Sequence, residues 1–351
     1  MNAKEGAIEI ETSKNVFYNP AMEDNRDISV NFLNSIKNKD MQIALPLAAS
    51  GIRGIRMLKE LKKDKIKTVE FNDLNKEAVS LIKKNLKKNK IKSRFKIHNK
   101  DANEFMILSK GFDYIDIDPF GSPNPFLDSA IKRISRDGIL AVTATDTGCL
   151  SGTFPGACKR KYWANPLLNE LKHEIGIRIL IRKVQLIGAE HDKALIPIFS
   201  HSTLHYMRIY FLCKKGKQEA DKIIKQHKYL LYCNKCMDRR ISEFNIDICC
   251  DSWMDYAGPL WIGQLWDSKL IKKIGKNMDS KLIDTIKGEC DVDVVGFFDI
   301  HTIAKKYKMQ VPKTSELIKK IKQKKKKVSL THFLDTGIRT DIGLDELLKL
   351  F

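Results

Sequence analysis

The sequence has no apolar run that approaches the roughly 20 residues a membrane-spanning helix needs. The N-terminal stretch MNAKEGAIEIETSK also lacks the apolar centre of a signal peptide. We therefore expect a cytoplasmic protein that does not enter a membrane. Two nucleotide signatures are missing as well, because neither GxGxxG nor GxxxxGK[ST] occurs. The absence of the second disfavours an ATPase.

Cysteine is sparse and unevenly placed. Eight cysteines occur in 351 residues, and Cys233 and Cys236 form a Cys-x-x-Cys pair. Without an export signal, a metal site in a reducing compartment is favoured over disulfides. The alternative is two buried thiols that bind nothing.

Acidic residues are fewer than basic residues in this sequence. There are 43 Asp and Glu residues against 63 Lys and Arg, which gives a formal net charge of +20. This balance favours nucleic acid or an anionic membrane surface as the partner. A lysine-rich surface without a partner is the alternative.

The first 215 residues alternate between strand and helix patterns, which predicts an α/β domain with a mostly parallel sheet. Strands are predicted at 41–51, where the strand runs into a Gly-containing turn, and at 67–73, 93–102, 112–119 and 138–146. The segments 193–202 and 205–215 resemble a closing antiparallel pair. A charged segment after Lys214 suggests a boundary, so we expect domains 1–215 and 216–351.

The C-terminal part predicts a smaller α+β domain. A helix at 298–308, a turn, a basic helix at 315–327 with Thr314 or Ser315 as its N-cap, and a strand and turn at 328–341 form a winged-helix pattern. A generic helical hairpin with a solvated lysine tail is the alternative.

Acidic residues follow three successive strands of the predicted sheet. They are Asp73, Asp101 (before Ala102) and Asp118, while the first strand runs into the turn Ser50-Gly51-Ile52-Arg53-Gly54. Ligands of such sheets bind beyond the carboxyl ends of the strands. Asp73 is placed to hold a ribose, and Asp101 with Ala102 to meet an adenine, which favours S-adenosylmethionine over NAD or ATP. Each acid has an alternative role as a helix N-cap.

The segment Asp118-Pro119-Phe120-Gly121 is suited to methylation of a base amine. A carboxylate and a backbone carbonyl can accept the two N–H bonds of the amine, and Asp118 can take the proton. Pro119 adds no competing N–H, and Phe120 can stack on the base. A base held this way has left its own stack. The alternative is an ordinary Asp-Pro turn. Asp116 either raises the proton affinity of Asp118 or belongs to a supporting network.

Several blocks together resemble the archaeal and eukaryotic tRNA (guanine-26-N2) dimethyltransferase family. They are FYNPAMEDNRD (17–27), SGIRGIR (50–56), DIDPFGSPNPFLD (116–128), VTATD (142–146), KRKY (159–162), HEIGIRIL (173–180), GPLWIG (258–263) and THFLDTGIRTD (331–341). The resemblance runs in order over nearly the whole chain.

This resemblance implies a Rossmann-like methyltransferase domain that transfers one or two methyl groups from S-adenosylmethionine to N2 of guanine-26 in tRNA. It implies that Arg26, Arg53, Asp73, Asp101 and Ala102 bind the cofactor, and that Asp118 orients and deprotonates the amine. No obligate protein partner is implied.

Some members of that family carry two Cys-x-x-Cys pairs, and this chain departs from the pattern. Its second half is Cys249-Cys250-Asp251-Ser252, with Ser252 where a ligand cysteine is expected. Cys233, Cys236, Cys249 and Cys250 are then the candidate zinc ligands.

Two other classes remain open at this point. One is a methyltransferase for another planar amine, such as adenine N6 or a protein glutamine. The other is a winged-helix protein that binds nucleic acid without catalysis.

Overall fold

The structure is a computed structural model, and it describes residues 2–351. The chain opens with a hairpin of β1 (Asn2–Glu5) and β2 (Ile8–Glu11), and then a short 3-10 helix (Pro20–Met22) leads into α1 (Glu23–Ser35). The side chain of Asn19 caps the 3-10 helix by accepting from the backbone N–H of Ala21. These elements flank the site described below.

A seven-stranded sheet forms the centre of the N-terminal part. Its strands are β3 (Met41–Leu45), β4 (Ile66–Asn72), β5 (Phe95–His98), β6 (Phe112–Ile117), β7 (Ile134–Ala144), β8 (Lys193–Thr203) and β9 (Tyr206–Lys215). Their order is β5-β4-β3-β6-β7-β9-β8. Strands β3 to β7 are parallel, and β9 runs antiparallel to β7 and β8. The predicted parallel sheet and closing antiparallel pair are confirmed.

Helices follow the strands in alternation. They are α2 (Ile52–Glu60), α3 (Lys76–Lys88), α4 (Ala102–Ile107), α5 (Asn124–Arg133), α6 (Thr147–Leu150), α7 (Pro155–Tyr162) and α8 (Lys172–Glu190). Helices α2 and α3 contact each other, and α5 contacts both α4 and α8. The central strands are buried almost throughout, as expected for a sheet covered on both faces.

The C-terminal part contains smaller sheets and short helices. The elements are α9 (Lys217–Ile224), β10 (His227–Tyr232), β11 (Arg239–Ser242), β12 (Ile248–Cys249), β13 (Ser252–Trp253), β14 (Asp255–Trp261), α10 (Ser268–Gly275), α11 (Lys281–Glu289), β15 (Phe298–Asp299), α12 (Ile300–Tyr307), α13 (Thr314–Gln323), β16 (Val328–Leu330), β17 (Gly337–Thr340) and α14 (Leu344–Leu348).

The end of the chain has a winged-helix arrangement. The order is helix, strand, helix, helix, strand, strand from α11 to β17, and the sheet order β15-β17-β16 is antiparallel. The winged-helix prediction is confirmed, but the predicted N-cap is wrong. Helix α13 begins at Thr314 itself, and Lys313 is the N-cap without a side-chain bond, so neither Thr314 nor Ser315 has that role.

Buried ion pairs join the two parts of the chain. Arg339 of β17 lies 2.7 Å from Glu174 of α8 and 3.0 Å from Glu289 of α11. Burial opposes the charge of Glu174, but Arg339 and Arg178 outweigh it and lower the pKa of Glu174 to about 2. These contacts fix the winged helix against α8. Helix α9 packs on α8 and β8, and the boundary at 215/216 stays a prediction.

Candidate active site and cysteine cluster

A cavity of about 670 Å³ lies beyond the carboxyl ends of the parallel strands. Six of the predicted site residues line it: Arg26, Arg53, Asp73, Asp118, Pro119 and Phe120. Asp101 and Ala102 are not part of its wall. The chain segments that follow β3, β4 and β6 supply Arg53, Asp73 and Asp118, as expected for a doubly wound sheet.

Arg53 holds the carboxylate of Asp118. Its Nη2 donates to Asp118 Oδ2 at 2.5 Å and to Asn25 Oδ1 at 2.9 Å, and its Nη1 donates to Ser29 Oγ at 2.8 Å. Burial opposes the charge of Arg53, but the carboxylates of Asp116 and Asp118 outweigh it and raise the pKa of Arg53. The guanidinium therefore stays charged and fixes one oxygen of Asp118.

Asp116 belongs to a buried supporting network. Arg208 of β9 binds both of its oxygens at 2.7 Å, and the Tyr114 hydroxyl donates to it at 2.8 Å. Burial would raise the pKa of Asp116, but Arg208 and Arg53 lower it to about 2. Asp116 is thus a permanent anion that ties β6 to β9, which settles the question left open by the sequence.

The turn after Asp118 is held by residues from other motifs. Gly121 has φ +82°, a conformation that favours glycine, and its N–H donates to Thr145 Oγ1 at 2.6 Å. The N–H of Thr145 donates back to the Gly121 carbonyl at 3.0 Å. The Tyr162 hydroxyl donates to Asp146 at 2.6 Å, beside Thr145. The VTATD and KRKY blocks therefore support the turn that carries Phe120.

Two exposed aromatic rings meet at the mouth of the cavity. Phe120 is 73% exposed and Phe17 is 50% exposed, and their centroids lie 4.4 Å apart at an interplanar angle of 85°. Large exposed rings of this kind are available to stack with a flat ligand. Sequence reasoning identified Phe120 but gave Phe17 no role.

Asp73 and Asp101 have different local roles. Asp73 accepts backbone N–H groups from Ala49 at 2.8 Å and Asn75 at 2.9 Å, and the N-cap of α3 is Asn75. Asp73 faces the cavity. Asp101 is the N-cap of α4, because its Oδ1 accepts from Asn103 and Glu104. The cofactor roles of both acids stay predictions.

Arg26 is anchored from behind by the first hairpin. Its Nε and Nη2 donate to the two oxygens of Glu5, both at 2.6 Å, and it lies 5.6 Å from the ring of Tyr18. Burial opposes the charge of Glu5, but Arg26 and Arg56 outweigh it and lower its pKa. The pair fixes the position of Arg26 in the cavity wall.

The four predicted cysteines form one cluster. The sulfur atoms of Cys233, Cys236, Cys249 and Cys250 all lie within 4.8 Å of one another. Cys249 Sγ is 3.5 Å from Cys236 Sγ and 3.8 Å from Cys250 Sγ. In tetrahedral coordination, metal–sulfur bonds of about 2.3 Å place the sulfur atoms about 3.8 Å apart. The cluster therefore fits a tetrahedrally coordinated metal ion.

Backbone donors favour a thiolate in this cluster. Burial opposes the charged form of Cys233, but the N–H groups of Cys236 and Lys235 and the neighbouring thiols lower its pKa to about 7. The hydroxyl of Ser252 donates to the Cys249 carbonyl at 3.2 Å. The adjacent cysteines supply the second half of the cluster.

Comparison with known protein families decides the identity of the fold. The family model described as TRM, N2,N2-dimethylguanosine tRNA methyltransferase, matches residues 1–351. The chain belongs to this family. The α/β Rossmann-like methyltransferase fold predicted from the sequence is therefore confirmed.

Curated relatives within this methyltransferase family cover nearly the full length. The chain is 39% identical over 355 residues to the tRNA (guanine(26)-N(2)/guanine(27)-N(2))-dimethyltransferase of Aquifex aeolicus, covering 95% of this chain and 89% of that one. It is 39% identical to the tRNA (guanine(26)-N(2))-dimethyltransferase of Methanosphaera stadtmanae, covering 95% and 90%.

A solved structure of the same methyltransferase family superposes on the whole chain. Trm1 from Pyrococcus horikoshii in complex with S-adenosyl-L-methionine matches with a TM-score of 0.91 and 32% identity, covering 100% of this chain and 99% of that one. Within residues 2–351, no helix combines the length and apolar character that crossing a membrane requires.

The sequence did not predict the residues of this methyltransferase site that hold other site residues in place. Asn25 and Ser29 bind Arg53, Arg208 binds Asp116, and Thr145 binds Gly121. The only sequence signal was that Asn25 and Thr145 lie inside blocks of the resemblance. Ser29 and Arg208 lie outside these blocks.

Proposed function

We propose that this protein transfers one or two methyl groups from S-adenosylmethionine to the exocyclic N2 amine of guanine-26 in tRNA. The observation that carries the proposal is the family match over the whole chain, together with Asp118, Pro119 and Phe120 in the wall of one cavity. The same match counts against a protein glutamine or adenine N6 substrate, and against a binding protein without catalysis.

Arg26, Arg53 and Asp73 are positioned to hold the cofactor in this proposal. Asp73 presents a carboxylate to the cavity, which suits the two hydroxyls of a ribose. The guanidinium of Arg26 suits a carboxylate such as that of the methionyl group. Asp101 and Ala102 would meet the adenine at the end of β5. S-adenosylmethionine, when bound, supplies a methyl group on a positively charged sulfur.

Asp118 and Pro119 act on the guanine amine. Arg53 binds Oδ2 of Asp118, which leaves Oδ1 to accept one N–H of the amine while the carbonyl of Pro119 accepts the other. Asp118 takes the proton that nitrogen loses when it gains the methyl group. Since the guanidinium fixes the carboxylate, little reorientation is needed at the moment of reaction.

Phe120 and Phe17 hold the guanine after it leaves the tRNA stack. Stacking of a base on an aromatic ring contributes about 1–3 kcal/mol. Both rings are exposed and line the cavity beside Asp118. A base stacked against the free face of Phe120 brings its amine to the carboxylate.

The cysteine cluster is proposed as a structural zinc site. Four sulfurs within 4.8 Å of one another can fill the coordination shell that zinc prefers, which suits a closed site without catalytic chemistry. The ion would link the turn after β10 to the β12–β13 hairpin. Metal analysis of the native protein should find one zinc per chain, and a Cys236→Ser variant should lose it.

The winged helix is proposed to bind tRNA phosphates. Lysines 324–327 follow the basic helix α13 and are mostly exposed. Such clusters bind nucleic acid through phosphate contacts. The cytoplasmic location expected from the sequence remains a prediction.

Nucleoside analysis of tRNA after incubation with the protein and labelled S-adenosylmethionine tests the proposed function. We expect N2-methylated guanosine at position 26, and none in a tRNA with adenine at that position. Methylation of guanine-27, which the Aquifex relative's name includes, would be mapped in the same digest. Binding of tRNA without any methyl incorporation would contradict the proposal.

A further inference from the structure

The tip of the β8–β9 hairpin carries an exposed leucine in a strained conformation. Thr203 pairs with Tyr206, so Leu204 and His205 form a two-residue turn. Leu204 has φ +51°. A two-residue hairpin turn with positive φ at its first central residue normally has glycine, asparagine or aspartate there, and a branched apolar residue is disfavoured. Something other than turn formation therefore explains this leucine.

Packing does not explain it either. Leu204 is 65% exposed, so burial gives it little stabilisation. It lines the catalytic cavity and also a second cavity of about 600 Å³, between α1, this hairpin and residues 278–282. The leucine thus stands at the rim between two openings.

The other exposed apolar groups of the catalytic cavity already have a role. Among residues 2–351, three large apolar side chains are both exposed and part of this cavity wall: Phe17, Phe120 and Leu204. The two aromatic rings contact each other and are suited to receive a base. Leu204 remains without an assigned partner.

Strand pairing and a buried ion pair hold the base of the hairpin in place, so its tip has a fixed position relative to Asp118. Strand β9 pairs with both β7 and β8. Arg208, four residues after Leu204, binds Asp116 with two hydrogen bonds of 2.7 Å, and Asp116 is two residues before Asp118. Strain at the tip is sustained because the surrounding sheet determines the turn.

We propose that Leu204 is the wedge that occupies the helical stack of the tRNA when guanine-26 leaves it. Enzymes that act on a base must extrude it, and apolar side chains that insert between base steps promote such unstacking. Leu204 is a positioning residue in this scheme, because it acts on the neighbouring bases and not on the amine. The inference rests on the proposed function.

The test compares two substrates. One is folded tRNA, and the other is the same tRNA with the nucleotide that faces guanine-26 deleted, so that the guanine is already unpaired. In Leu204→Asn the turn is kept, because Asn tolerates the left-handed region. We expect the single-turnover rate on folded tRNA to fall about tenfold or more, and the rate on the unpaired substrate to stay within about twofold of the parent.

Two variants serve as controls. Leu108→Asn changes an equally exposed leucine that lines neither cavity, and should leave both rates unchanged. Leu204→Met keeps the apolar bulk, and should retain most of the rate on folded tRNA.

The outcomes distinguish a failure of the wedge proposal from a failure of the proposed function. An equal loss on both substrates, or no loss on folded tRNA, would overturn the wedge. A parent protein that methylates guanine-26 in neither tRNA would overturn the proposed function itself. A melting temperature for Leu204→Asn equal to or above that of the parent would exclude unfolding as the cause of a rate loss.

Discussion

At the scale of single residues, the side chain of Arg53 orients the carboxylate of Asp118. Its guanidinium contacts Ser29, Asn25 and Asp118 at once. Asn25 and Ser29 do not line the cavity, and their hydrogen bonds to Arg53 link them to Asp118. Since Arg53 is proposed to hold the cofactor as well as Asp118, we expect a change at either residue to affect both turnover and cofactor binding.

We predict that Asn25→Ala lowers kcat about tenfold and also raises the KM for S-adenosylmethionine, since Arg53 is proposed to hold both Asp118 and the cofactor. The kcat falls because a misplaced Arg53 lets the Asp118 carboxylate rotate away from the amine. Steady-state kinetics with varied cofactor measures both values. Asn31→Ala on the same helix is the matched control. A raised KM with unchanged kcat would show that Arg53 serves the cofactor alone.

At the scale of elements, the lysines after α13 lead to a prediction about salt. Replacing Lys324 to Lys327 with Gln should flatten the dependence of tRNA affinity on salt concentration. Each lysine that no longer binds a phosphate lowers the number of released counterions by nearly one. The slope of log affinity against log salt concentration falls by the same amount. Filter binding at several salt concentrations gives the slope.

The control for this measurement is a set of four lysines on α3 that are exposed and equal in number. They are Lys76, Lys83, Lys84 and Lys87. Their replacement should leave the slope closer to that of the parent. If the two sets have equal effects, net charge explains the slope, and the winged helix has no special role.

Elements were predictable from the sequence where a local pattern specifies them. The alternation of strands and helices located the sheet. Two of the three acids at strand ends, Asp73 and Asp118, located the cavity, because parallel strands place those ends at one edge. The N-cap of α13 was mispredicted because Thr and Ser are strong caps by type, whereas the helix begins one residue earlier.

Contacts that are distant along the chain could not be predicted. Arg208 lies 92 residues from Asp116, and Arg339 lies 165 residues from Glu174. No spacing rule relates such positions, since only the folded sheet and the packed winged helix bring them together. The buried charges of HEIGIRIL and THFLDTGIRTD acquire a role only in the assembled molecule.

At the scale of the whole molecule, the ion pair of Glu174 with Arg339 joins the two parts of the chain, and we expect its contribution to stability to be lost in acid. The pKa of Glu174 is about 2 in the folded protein against an ordinary value of 4.5. The unfolded chain therefore binds this proton first as the pH falls, and the ion pair stabilises the fold above about pH 4.5. That contribution, on the order of 1–3 kcal/mol, is lost as the pH falls toward 2.

We predict that Glu174→Gln is less stable than the parent at pH 7 and that its stability changes less between pH 5 and pH 2.5. Urea unfolding across this range provides the free energies. Glu104→Gln, which alters an exposed pair with Lys100, should keep the parent's pH dependence. A parent and a Glu174→Gln variant with parallel pH profiles would show that the junction does not titrate in this way.

The central claim is that the fixed carboxylate of Asp118 performs the reaction at the guanine amine. Asp118→Asn keeps the size of the side chain and one acceptor oxygen, but removes the negative charge and the site that takes the proton. Single-turnover methyl transfer at saturating tRNA and S-adenosylmethionine is the most direct measurement. We predict a rate lower by about two orders of magnitude or more, with tRNA and cofactor binding nearly unchanged. A variant that transfers methyl groups at close to the parent rate would contradict the central claim.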